Sequence, residues 1–191
     1  MGVSLGIPWN RCALIVELAK RLENVRPQFG KTALQKLMFL LQEIYHVHCG
    51  CHFFLYSYGP FSTTLVGDMD AVEHFGCVEV QRASSMAGGY VIKPGKKADS
   101  LHDKAAAFLK AEQTRAGLTS LVRTYGHRET KDLELPATTA YVARNLRRKS
   151  ESVKKEDVCR IVGLVKPRFS AYEARGALDE LESNGHIRWD T

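Results

Sequence analysis

Apolar and polar positions alternate most regularly between Gly30 and Gly76. Leu34, Leu37, Met38, Leu41 and Tyr45 recur with the spacing of one helix face, and Phe39, Leu40 and Ile44 widen it. A stripe that broad predicts a helix buried on most sides. Phe53, Leu55, Tyr56 and Tyr58 then predict a short strand, with Gly59-Pro60 as the turn after it. Leu65, Met69 and Val72 share a face of the next helix. Ser62 or Thr63 is placed to cap its start, and Gly76 to take the C′ position.

The flanking segments follow the same logic. Cys12, Ile15, Val16, Ala19 and Leu22 give an apolar side to a first helix from Asn10 to the Glu23 region, stopped at Pro27. Val78 and Val80, then Tyr90-Val91-Ile92, predict a hairpin around a loop at Ser84 to Gly89. Ser100 and Asp103 have capping-box spacing before Ala105, Phe108 and Leu109. Leu118, Leu121, Val122 and Tyr125 predict another helix, and Pro136 starts the one that carries Tyr141, Val142 and Leu146. Val158, Ile161, Val162 and Val165 run up to Pro167. Ser170 and Glu173 form a second capping box ahead of Tyr172, Ala177, Leu178 and Leu181. Asn184-Gly185 closes that helix, before a short strand at Ile187-Arg188-Trp189. The expected fold is mainly α with a small antiparallel β component. Its first half, 1–95, is winged-helix-like in element order, and a helical second half, 96–191, packs with it or beside it.

Composition narrows the function classes. The chain has 191 residues and a formal charge of +6, which suits contact with a polyanion without requiring it. No apolar run approaches the roughly 20 residues of a membrane span, and the polar, proline-containing start is not that of a signal peptide. A cytoplasmic location is therefore expected. Five cysteines, an odd number spread along the chain, are then expected as reduced thiols.

Leu34-Gln35-Lys36-Leu37, Tyr58-Gly59-Pro60 and Leu65 with Asp68 stand in an order that resembles the SocA-like Panacea domain family and its YwgA-like relatives. Those proteins combine an LQKL-type core helix, a YGP- or WxxGP-type turn and a helix with a spaced Leu and Asp. The resemblance covers the first half of the chain. It implies a regulatory or antitoxin-like protein-interaction module rather than an enzyme, and it carries over no catalytic residue.

Three groups of side chains are candidates for function. Tyr56, Tyr58 and Phe61 form an aromatic cluster that could anchor a protein partner, although core packing is the commoner use of such residues. Arg144, Arg147, Arg148, Lys149, Lys154 and Lys155, continued by Arg160, Lys166 and Arg168, are the basic region fit to meet DNA or RNA phosphates. A solvated face is the plainer reading. By contrast, the helix after Gly59-Pro60 carries Asp68, Asp70 and Glu73, and phosphate repulsion argues against its entering a DNA groove. Finally, His46, His48, Cys49, Cys51 and His52 are the weak metal candidates, because Cys-Gly-Cys lacks the spacing of a zinc knuckle. No cofactor is expected: HExxH, GxGxxG and a phosphate-loop glycine pattern are absent from the sequence. Asp132 and Glu134, near His127 and Glu129, read as acidic side chains of a solvent-facing loop.

Overall fold

The computed structural model describes residues 8–26, 28–83, 88–149 and 153–187. Pro27, most of the 84–89 loop, and Arg188 and Trp189 of the expected last strand lie outside the described residues. Among those described, the chain is mainly helical with two small antiparallel sheets. No helix of the described residues is long and apolar enough to cross a membrane.

Two helices form the centre. The first, α1 (Trp9–Leu22), and the second, α2 (Lys31–Glu43), bury their aliphatic positions, with Trp9 partly buried at the start of α1. Leu34, Leu37, Met38, Phe39, Leu40 and Leu41 are all in the core, as their spacing predicts. Around α1 pack α3 (Thr63–His74), α4 (Ala98–Lys104), α5 (Ala106–Lys110) and α6 (Glu112–Tyr125). Against α2 pack α6 and α7 (Glu134–Arg147), and α7 in turn carries the pair α8 (Lys155–Val165) and α9 (Ala171–Ser183).

The strands make two separate hairpins. In the first, β1 (Phe54–Tyr56) pairs with β2 (Gly59–Phe61), with Phe54 opposite Phe61 and Tyr56 opposite Gly59. Gly59-Pro60 is thus the start of the return strand, and Ser57-Tyr58 is the turn. In the second, β3 (Val78–Arg82) pairs antiparallel with β4 (Tyr90–Pro94), Val80 opposite Ile92, which is the expected hairpin. The second hairpin is anchored to the loop before α2 by Ile92 N–H donating to the Phe29 carbonyl at 2.7 Å.

Several terminal signals behave as read. Gly76, at φ +70, closes α3: its N–H donates to the Glu73 carbonyl and Cys77 N–H reaches back to Val72, a double bond pattern that satisfies the helix's last carbonyls. Ser170 and Glu173 make a complete capping box on α9. Three signals do not. Ser62 occupies the N-cap position of α3, but its side chain makes no capping bond and is buried. Ser100 lies inside α4, which starts at Ala98, and its hydroxyl donates back to the Lys97 carbonyl; the turn after Pro94-Gly95 nucleates this helix earlier than the serine does. Tyr172 points into solvent from the first turn of α9, away from the buried Ala174, Leu178 and Leu181.

Leu37 and Leu41 define the main core. Truncating either to Ala removes buried methyl groups from a packed site and is expected to cost about 2–5 kcal/mol. Urea melts measure that loss; a change below about 0.5 kcal/mol at both sites would be the behaviour of surface positions.

Candidate interaction site at the aromatic hairpin

Strands of three residues cannot cover both faces of a hairpin. Phe54 and Tyr56 point to one face because they are two apart in a strand, and Phe61 joins them from across the pair. Their ring centroids lie 5.6 Å (Phe54–Phe61), 5.7 Å (Tyr56–Phe61) and 6.3 Å (Phe54–Tyr56) apart, the spacing of interlocked aromatic pairs. Even so, Tyr56 stays 60% and Tyr58 63% exposed. The commoner expectation for these tyrosines, burial in the core, does not hold.

Beside the rings a cleft of about 220 Å³ runs between the hairpin and the first turns of α2. Its walls are Tyr56, Tyr58, Pro60, Phe61 and Val66. Lys36 lines it from α2. That residue sits one step from Leu37 on the helix the core is built on, so its stem is buried and the side chain is only 2% exposed. No hydrogen bond or ion pair reaches its ammonium among the described residues. Burial pushes the group down to about 8, Glu134 opposes that shift, and Lys166 and Arg168 add to it.

Behind the hairpin lies the charge that the sequence reading misplaced. Glu134 is not a solvated loop residue: it opens α7 and is 2% exposed. The carboxylate pairs with Arg168 through one oxygen and lies 3.2 Å from Lys166 Nζ through the other. Lys166 directs its protons to the Tyr56 carbonyl, at 3.0 Å, and to the Ser57 carbonyl. Gly59 closes the arrangement from the hairpin. It holds φ +102, and a Cβ there would come within 3.3 Å of the Thr138 hydroxyl and 3.8 Å of Lys36 Cε. Both the backbone and the space favour glycine. Lys36 and Lys166 belong to this site, although the sequence placed Lys36 only within the Leu34–Leu37 motif and Lys166 only in the basic region. Their one local sign is an ionic residue beside a strongly apolar run.

The basic region is dispersed by its own partners. Arg144 pairs with Glu43 at 2.7 Å and stacks on Phe39 and Tyr141, while Lys155 pairs with Glu182. Arg147, Arg148 and Lys149 are exposed at the end of α7, and Lys154 is exposed before α8. Asp68, read as part of an acidic surface, is buried in a two-pronged pair with Arg11 of α1. Arg11 also donates to the Gly50 carbonyl at 3.1 Å, tying down the loop that carries the metal candidates.

Those candidates separate. His46 is exposed just beyond α2, and Cys49 is buried with its thiol toward the Val47 carbonyl at 3.3 Å. His48, Cys51 and His52 line a different hollow, one that Arg144 and Arg148 also border. Burial pushes the Cys51 thiol up to about 12, and the Cys12 thiol likewise to about 12, which keeps both protonated near neutral pH. Among the described residues no three His, Cys, Asp or Glu side chains are grouped to hold a metal ion.

No protein-family model matches the chain, and no curated protein matches it.

The Lys36 environment sets a pH signature. Its folded value, about 8, lies below its ordinary 10.5, so between those limits the unfolded chain binds the extra proton and stability rises with pH. Below about pH 8 the penalty for the buried ammonium is fully present. Lys36→Met keeps the stem and removes the charge. It is expected to match or exceed the parent in stability at pH 7, and to lose that advantage by up to about 3 kcal/mol by pH 10.5. Paired urea melts at the two pH values check the crossing; parallel curves would place the ammonium in water. The comparison isolates Lys36 because Glu134, Lys166, Arg168, Tyr56 and Tyr58 are common to both proteins.

Proposed function

We propose that this chain is a non-enzymatic regulatory module, antitoxin-like as its family resemblance implies, which binds a protein partner through the β1–β2 hairpin. One observation carries the reading. Phe54, Tyr56 and Tyr58 are exposed side by side on a hairpin already braced from behind. Exposed tyrosines and phenylalanines bring large contact area with few rotatable bonds, which makes such clusters typical anchors of protein interfaces. Because the hairpin is held by Lys166 and by Pro60 on the cleft wall, little order is lost on binding.

Charge favours a protein over a nucleic acid. Arg144, Lys155 and Arg168 are engaged with Glu43, Glu182 and Glu134. A phosphate backbone would have to compete with those carboxylates for them, and affinity for nucleic acid scales with the cations that reach phosphates.

A partner captured from the native host, identified, purified and titrated against the chain by calorimetry provides the test. Tyr56→Ala with Tyr58→Ala is expected to weaken that binary complex by about tenfold or more, and to shift the urea midpoint little because both rings are solvated. Charge reversal of Arg147, Arg148 and Lys149 together is expected to leave it unchanged. The reverse pattern, with binding to DNA or RNA that falls steeply with salt, would replace the protein reading by a nucleic-acid one.

A further inference from the structure

The cleft beside the hairpin is apolar on its walls and cationic on its floor, and that combination selects an occupant. Gln35, the other polar residue deep in it, is already satisfied: its amide donates to the Ser62 carbonyl at 3.0 Å and accepts from Ser62 N–H at 2.8 Å. Lys36 is left as the deep polar group with no bond of its own. The charges around it do not cancel. Glu134 is shared by Lys166 and Arg168, so adding Lys36 gives three cations around one carboxylate. An anionic group entering the cleft would meet a positive side chain that is little exposed to water, where a charge-assisted hydrogen bond is stronger than in bulk solvent.

Resting on the protein-partner reading above, we infer that this cleft takes the free C-terminal residue of the partner, its carboxylate on the Lys36 ammonium and its apolar side chain against Tyr56, Tyr58 and Phe61. The walls decide between sources of the carboxylate. An aspartate or glutamate side chain brings only one or two methylenes with its charge and would leave the aromatic walls uncovered. A C-terminal apolar residue carries both a carboxylate and a side chain that fills the cleft. A phosphate is a poorer match, since a dianion asks for several donors and the floor offers one point charge. Thr32 and Lys31 at the rim, also lining the cleft, stand where the preceding peptide would leave it. Capture of a terminal carboxylate is an established way for a protein to read a partner's end.

The full chain is titrated with acetylated hexapeptides randomised at the last two positions, each prepared as the free acid and as the C-terminal amide. Free acids ending in an apolar residue are expected to bind, and amidation is expected to weaken them by about tenfold or more. Lys36→Met should lower the acids to the level of the amides and leave the amides unchanged. The acid–amide comparison uses the unaltered protein, so it stands whatever Lys36→Met does to folding. Equal binding of acid and amide overturns the inference, and so does failure of every free acid to bind at millimolar concentration. Amides with an internal aspartate or glutamate that bind as well as the acids also overturn it, by moving recognition to a side chain. The hairpin reading fails separately, through a partner complex indifferent to Tyr56→Ala with Tyr58→Ala.

Discussion

One buried carboxylate holds together parts of the chain that share no secondary structure. Glu134 opens α7 where the helix's own N–H groups favour negative charge, and it receives Arg168 and Lys166 from the segment between α8 and α9. Lys166 passes the constraint on by donating to the carbonyls of Tyr56 and Ser57 at the tip of the first hairpin. A core helix, a helix-pair connection and a two-stranded hairpin are thereby fixed relative to one another. With the carboxylate gone, Lys166 and Lys36 would be left as buried cations with no counter-charge, a situation that costs about 3–5 kcal/mol where such pairs have been broken. The hairpin's exposed rings owe their fixed position to this arrangement more than to their own strand pairing, since an isolated two-stranded ribbon is marginal in water.

What could be read from the sequence was what is decided locally. The face of α2 was legible because Leu34, Leu37, Met38 and Leu41 repeat within two turns, and no distant residue can change that period. Gly76 and the Ser170–Glu173 box were legible for the same reason: cap chemistry lies within a few residues of the helix end. Glu134 was not. Its neighbours Lys131, Asp132 and Glu129 are those of a solvated loop, and its burial depends on Lys166 and Arg168, which arrive from another helix pair. Lys36 hides differently, as one charged position in an apolar helix, where a stem reaching to solvent is the usual outcome. Ser100 shows the opposite error: a correct local signal was outcompeted by an earlier start at Ala98.

The aromatic hairpin lies between these cases. Sequence placed Tyr56, Tyr58 and Phe61 together, but could not say which way they face, because three-residue strands are too short for alternation to reveal a buried side. Pairing Phe54 with Phe61 and Tyr56 with Gly59 settles it. Glycine opposite Tyr56 offers no side chain to cover the ring, and Gly59 itself must lie close to Lys36 and Thr138. The requirement for a small residue on the inside of the turn is therefore part of what leaves the tyrosine uncovered on the outside.

At Lys36 the demands of the fold and of the proposed binding pull apart. For stability alone, a leucine or methionine would serve better at a buried site on α2 than an ammonium with no bond, since desolvating a charge is costly unless it is paired. The three nearest charges do not supply compensation: Glu134 attracts Lys36 but is claimed by Arg168 and Lys166, and both of those repel it. What would compensate is an anion from outside the chain, reaching the ammonium through the cleft that the exposed rings border. On the proposed capture of a carboxylate, the cost of burying the ammonium and the affinity for the anion have the same physical origin. Under that proposal, a substitution that removes the charge relieves the cost and loses the affinity together.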